Sequence, residues 1–144
     1  MVRLFKSTSI PHRKVFLGGT CNGSDWRSVI IPHLQVPYFN PVVSGREWTE
    51  EDKENEIQER SLLCSHMLYV ITPETKGLFA IAELIHDSIT KPNKTVVCFL
   101  RQYGDKSFDD QQWSSIESII EMIRKYHNSV CTDLDSLVDM VKAI

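Results

Sequence analysis

The chain has 144 residues, 42% apolar and 24% charged, with a formal net charge of −3. That length supports a single domain with its own core, needing neither disulfides nor a structural metal. The acidic balance argues against a nucleic-acid polymer as partner, since such binders present a basic face. No apolar run reaches the roughly 18 residues of a membrane span, so no membrane partner is expected. Met1-Val2-Arg3-Leu4-Phe5-Lys6 carries charge but no apolar h-region and does not read as a secretory signal. Cys21, Cys64, Cys98 and Cys131 are widely spaced and form no CxxC pair. This usage fits a reducing cytoplasmic compartment rather than a disulfide framework or a zinc site.

Residues 1–13 are the least committed stretch, either an added edge strand or a trailing segment. Lys14-Val15-Phe16-Leu17-Gly18-Gly19 reads as the first strand, followed by the polar turn Thr20-Cys21-Asn22-Gly23-Ser24. A short helix is expected from Asp25 through Trp26, Val29 and Ile30, stopping near Pro32, with Ser24 or Asp25 as its cap. Val36 to Val43 reads as a second strand, placed at an edge or cut short by Pro37 and Pro41. Thr49 with Asp52 is the signature of an N-cap and its N3 carboxylate, opening a helix to about Cys64. His66-Met67-Leu68-Tyr69-Val70-Ile71 is apolar almost throughout, as a central strand is.

Gly77 to about Ile89 reads as a helix with Leu78, Ile81, Ala82, Ile85 and Ile89 on one apolar stripe. Thr95 to Leu100 is the fourth strand. Asp109 to Tyr126 is an amphipathic helix carrying Trp113, Ile116, Ile120 and Ile123 at helical spacing. Val130-Cys131 reads as a short fifth strand, and Asp133 caps a last helix bearing Leu134, Leu137, Val138 and Val141. Strands alternating with helices imply right-handed crossovers and one parallel sheet covered on both faces, a doubly wound α/β domain.

Ligands of open α/β sheets bind beyond the carboxyl ends of the strands. That selects three loops: Gly18 to Asp25, Phe39 to Trp48, and Thr72 to Glu83. In the first, Gly18 and Gly19 admit a ligand to the backbone, while Asn22, Asp25 and Trp26 supply polar and stacking groups. It matches neither the P-loop nor the GxGxxG pattern. The third loop leads into Glu83, an acidic residue within the apolar segment Leu78-Phe79-Ala80-Ile81-Ala82-Glu83-Leu84. A carboxylate at a strand-end pocket serves as nucleophile, base or ribose ligand, and a plain helix-surface glutamate is the other reading. Adjacent His86 and Asp87 point different ways on a helix and read as a solvated face. The acidic run Glu50 to Glu59 also reads as solvated, with Glu56 within reach of the site. Trp26 and Trp48 either stack on a base or close the core.

Val15-Phe16-Leu17-Gly18-Gly19-Thr20-Cys21-Asn22-Gly23-Ser24-Asp25-Trp26-Arg27 resembles the nucleoside 2-deoxyribosyltransferase-like family. Tyr38-Phe39-Asn40-Pro41-Val42-Val43 and Leu68-Tyr69-Val70-Ile71-Thr72-Pro73, followed by Gly77 and Ala82-Glu83-Leu84, extend the likeness over about residues 14 to 100. The resemblance implies a flavodoxin-like five-stranded parallel sheet spanning one domain, 1–144, and assembly into a homo-oligomer. It implies chemistry at the N-glycosidic bond of a nucleoside or nucleotide, without cofactor or metal. Glu83 falls at the family's nucleophile, Glu56 nearest its second carboxylate, and Phe16 where a tyrosine hydroxyl commonly stands. Glu74 is the nearest match to an aspartate before the nucleophile's loop, and Asn22, Asp25 and Asn40 would position sugar or base. Three activities follow: deoxyribosyl transfer between bases, hydrolysis of nucleoside 5′-monophosphates, or nucleotide binding without catalysis.

Overall fold

The computed structural model describes residues 13–144 apart from Asn22, so the expectations for residues 1–12 and for Asn22 lie outside the described residues. Five strands, β1 (Val15–Gly19), β2 (Tyr38–Phe39), β3 (His66–Ile71), β4 (Thr95–Phe99) and β7 (Ser129–Cys131), form one all-parallel sheet in the order β2-β1-β3-β4-β7. A small antiparallel hairpin, β5 (Gln102–Tyr103) and β6 (Lys106–Ser107), follows β4. The helices are α1 (Trp26–Ile30), α2 (Glu50–Gln58), α3 (Phe79–Thr90), α4 (Asp110–Arg124) and α5 (Leu134–Lys142). This is the flavodoxin-like order, whose switch point lies between β1 and β3.

Alternation along the strands explains the two-sided core. Val15 and Leu17, with Leu68, Val70 and Cys98, pack against Trp26 and Ile30 of α1 and Leu137 and Val141 of α5. Phe16, with Met67, Tyr69, Ile71, Val97 and Phe99, packs against Leu84 of α3 and Ile116, Ile120 and Ile123 of α4. Successive residues point to opposite faces, so a strand buried on both sides reads as a continuous apolar run. Three helix starts behave as their sequences require. Thr49 and Asp52 form a reciprocal capping box on α2, Asp109 and Gln112 form another on α4, and Asp133 accepts from the Ser136 amide on α5.

Several expectations are corrected. β2 is two residues long rather than spanning Val36 to Val43, and pairs only as Val15↔Tyr38 and Phe16↔Phe39. Pro37 and Pro41 flank it and cannot donate to the ladder. Asp25 stands at the N-cap of α1, but its side chain makes no cap bond and accepts instead from the Tyr103 hydroxyl at 2.5 Å, while the Ser24 hydroxyl donates to Glu74. The apolar stripe assigned to α3 is rotated. Ile81 and Ile85 pack on the core as expected, but Leu78, Ala82 and Ile89 are exposed, whereas Leu84, Asp87 and Ser88 are buried. Asp87 therefore does not belong to a solvated face. Beyond Gln58 the helix widens into a π turn, Glu59–Leu63, in which the Cys64 amide bonds to the Glu59 carbonyl at 2.8 Å.

β1 meets β3 unusually closely at its carboxyl end. A Cβ on Gly19, whose φ is +120°, would lie 2.1 Å from the Val70 carbonyl oxygen. Gly19→Ala therefore combines an unfavourable backbone conformation with a clash against backbone that cannot step aside. It is expected to destabilise the fold by about 2–4 kcal/mol, read as a lower urea midpoint with an unchanged slope.

Candidate active site

A cavity of about 350 Å³ opens over the carboxyl end of β1, between the loop after β2 and the helix α3 that follows β3. Its lining comprises Phe16, Gly18, Gly19 and Cys21 from β1 and the loop after it, Arg27 from α1, and Pro41, Val42, Val43 and Trp48 from the loop after β2. Glu56 of α2 and Glu83 of α3 complete it. The position follows from topology, because the connections leaving β1 and β3 diverge to opposite sides and leave a crevice. A second depression shares Trp48, Glu56 and Glu83 and adds Lys53, Ile57, Arg60 and Phe79.

The floor is glycine for a steric reason. A Cβ on Gly18 would stand 2.4 Å from Tyr69 Cε1, so the phenol ring occupies the space a side chain would need. Phe16 stacks on Phe39, with ring centroids 5.9 Å apart, and tilts against Tyr69 at 6.3 Å. Phe16, held by these two rings, gives the cavity an apolar side.

Two carboxylates enter this surface. Burial pushes the Glu83 carboxyl above the usual glutamate range; Arg60 pulls it back, while Glu56 and Asp87 push it further up. Glu56 is raised too, again chiefly by burial, against the pull of Arg60 and Arg27. Glu83 has an ion-pair partner, Arg60, with Nε 3.4 Å from its Oε2. That guanidinium is itself anchored: Nε and Nη2 each donate to an Asp87 carboxylate oxygen at 3.1 Å. The Tyr69 hydroxyl also donates to Asp87. Burial raises the Tyr69 pKa and the Asp87 charge adds to it, so the phenol keeps the proton it donates.

Arg27 is a buried cation, 6% exposed. Its guanidinium donates to the Leu17 carbonyl through Nε and Nη2, at 3.2 and 3.0 Å, and to the Thr20 carbonyl through Nη1 at 2.8 Å. Burial lowers its pKa, and Glu56 is among the groups that oppose that shift.

Of the residues expected at the site, Phe16, Gly18, Gly19, Glu56 and Glu83 line the main cavity together with Trp48. Gly77 lines a smaller adjoining cavity of about 130 Å³, with Gly19, Thr20, Cys21, Thr75, Lys76 and Ala80. Asn40 accepts from the Val42 amide at 3.1 Å and so shapes the loop that brings Val42 to the wall. Glu74 accepts from Ser24 at 2.8 Å, bridging the first and third loops. Asp25 stands off the cavity, bound to Tyr103. Trp26 is fully buried, its indole donating to the Thr20 carbonyl at 2.8 Å, and is a core residue rather than a stacking platform. Sequence reasoning missed Arg27, Arg60, Tyr69 and Asp87. Only the oddity of Asp87, a charge on the face of α3 that Leu84 and Ser88 bury, hinted at them.

Fold and site together define a doubly wound α/β domain with paired carboxylates at the switch point of its sheet. The family described as "Nucleoside 2-deoxyribosyltransferase like" matches residues 12–103, from before β1 to the first strand of the hairpin, and the chain belongs to that family. No curated protein sequence matches the chain.

The two raised carboxyls set a sign for stability. A group whose pKa is higher in the folded state favours folding below its unfolded pKa, and that contribution is lost as pH rises through the folded value. Glu56 and Glu83 therefore weigh against the fold above the ordinary glutamate range. Glu56→Gln and Glu83→Gln are each expected to melt above the wild type at neutral pH. The advantage should shrink as the pH is lowered through the glutamate range, read as melting temperature against pH.

Proposed function

We propose that this protein breaks the N-glycosidic bond of a 2′-deoxynucleoside or its 5′-monophosphate and passes the deoxyribosyl group through an ester on Glu83. The observation that carries this reading is Glu83 itself. It is a largely desolvated carboxylate that lines the cavity beside the bare backbone of Gly18 and Gly19 and lies within the span matched by the family, at the position to which the resemblance assigns the nucleophile. In the first step a Glu83 oxygen bonds to C1′ while the C1′–N bond breaks, its electron pair staying on the base nitrogen. Glu56 supplies the proton that nitrogen takes up, since burial keeps its carboxyl protonated to higher pH than an exposed glutamate. In the second step a ring nitrogen of another base, or water, bonds to C1′ and the ester bond breaks. Glu56 takes back the proton that the acceptor gives up. Two displacements give net retention at C1′, as in retaining glycosidases.

The apolar wall suits this assignment. Phe16, Pro41, Val42, Val43 and Trp48 offer flat or aliphatic surface to a base, and the bare backbone at Gly18 and Gly19 lets the sugar approach the sheet. The smaller cavity favours a second reading, hydrolysis of nucleoside 5′-monophosphates. It shares Gly19 and Cys21 with the main cavity and is lined by Lys76, a cation suited to a phosphate.

Assays of base release and base exchange, over deoxynucleosides with and without a 5′-phosphate, test both readings. Exchange identifies a transferase and release alone a hydrolase, because only the acceptor of the ester differs. Glu83→Gln is expected to lower the rate by at least about 10³-fold with its fold intact, and Glu56→Gln by about 10²-fold. A Glu83→Gln rate within about tenfold of wild type excludes Glu83 as nucleophile. Ligand binding without any turnover supports a non-catalytic nucleotide module instead.

Assembly belongs to the same reading. Leu78 and Phe79 are 76 and 74% exposed, and Phe79 lines the depression that contains Glu83. We infer that a second copy of the chain covers this apolar rim, which would otherwise lie open to water beside a reactive ester. Light scattering is expected to give at least twice the mass of one chain. A concentration-independent monomer mass overturns the inference.

A further inference from the structure

Arg60 takes no bond-making part in the proposed reaction, yet its guanidinium is one of the most constrained groups in the molecule. It stands in the π turn after α2, a single-turn widening of the kind that recurs at functional sites. The first two residues of that turn are pinned. Glu59 is buried and bonded to Lys14 at 2.8 Å, and the Lys91 ammonium donates to the Arg60 carbonyl. The side chain is thereby delivered to Asp87, which is 1% exposed and binds its fork through both carboxylate oxygens.

A fork that served Asp87 alone would need no second acid. Arg60 Nε nevertheless stands 3.4 Å from Glu83 Oε2, and among the described residues this is the ion pair that Glu83 makes. Glu83 and Asp87 are four residues apart on α3, so one helix face presents both carboxylates to one cation.

We propose that Arg60 is the positioning residue for Glu83. Clamped on Asp87 and Tyr69, it turns the Glu83 carboxylate toward the cavity and keeps it ionised for attack. This rests on the function proposed above. Around Glu83, Lys53, Glu56 and Arg60 come from α2 and its π turn, Arg27 from α1 lies across the cavity, and His86 and Asp87 share its helix. The Tyr69 phenol of β3 stands behind Asp87. Glu56 and Asp87 oppose ionisation of Glu83, and Arg60 favours it. Without Arg60, a largely desolvated acid beside two others would hold its proton and be a poor nucleophile.

The test is a carbon-13 NMR titration of glutamate-labelled protein, with the Glu83 carboxyl assigned by its disappearance in Glu83→Gln. It is run alongside the pH profile of base release for wild type, Arg60→Met and Arg60→Lys. In Arg60→Met the Glu83 midpoint is expected to rise by about 1–3 pH units. The acid limb of kcat should move up by the same amount. At neutral pH kcat should fall about 10- to 10³-fold while KM stays within about threefold. Arg60→Lys restores the charge without the fork and should fall between the two. A folded Arg60→Met with an unmoved Glu83 midpoint overturns the proposal, as does a loss confined to KM. Should Arg60→Met fail to fold, Arg60→Gln, which still donates to Asp87, carries the same titration. A wild type that turns over no nucleoside defeats the proposed function, whereas the NMR midpoint still decides whether Arg60 governs Glu83.

Discussion

A buried carboxylate organises this molecule. Asp87 sits on the inner face of α3, and a charge removed from water must be paired or it costs the fold several kcal/mol. Its partners come from two other elements, the Tyr69 hydroxyl from β3 and the Arg60 guanidinium from the π turn after α2. The Thr95 hydroxyl donates to the Asp87 carbonyl at 3.1 Å, adding β4 to the set. These contacts determine how α3 is rotated on the sheet. Because Glu83 lies one turn earlier on nearly the same face, the rotation that satisfies Asp87 also puts Glu83 at the cavity wall. On the proposed reading, the nucleophile is thus oriented by the solvation needs of its neighbour.

The same network explains the glycines. Gly18 is read most simply as room for a ligand, but the nearer constraint is Tyr69. A side chain at 18 would push the phenol ring away from Asp87. That would release the buried charge and, through it, Arg60. Packing and chemistry therefore make one demand of this position, and the space above the strand is what remains once it is met.

On the proposed reading, the two cavity carboxylates are separated by their surroundings. Both are raised by burial, but Glu83 has a cation within ion-pair distance, whereas Arg60 and Arg27 reach Glu56 only as longer-range charges. Arg27 spends its donors on the Leu17 and Thr20 carbonyls. Such a difference lets one acid act as the anion and the other carry a proton, with nothing more than unequal access to positive charge.

The alternation of apolar runs and helical patterns was sufficient to specify a parallel, doubly wound sheet, because a strand buried on both faces must be apolar throughout and its connections must cover those faces. β1, β3 and β4 were legible for that reason, and so were the capped starts of α2, α4 and α5, whose signals are local hydrogen bonds within one turn. Phe16, Gly18, Gly19, Glu56 and Glu83 could be named because strand-end loops and a family resemblance both point there. Tertiary structure alone decided the rest. Of the apolar stripe on α3, Ile81 and Ile85 pack on the core while Leu78, Ala82 and Ile89 are exposed, and the inner face is completed by Leu84, Asp87 and Ser88. Trp26 became core and Asp25 a partner for Tyr103 through contacts with residues distant in the chain. Tyr69, Arg60 and Asp87 are spread over three elements, and no spacing rule connects them. Local sequence encodes period and capping, whereas the pairing of buried charges is settled only when the elements meet.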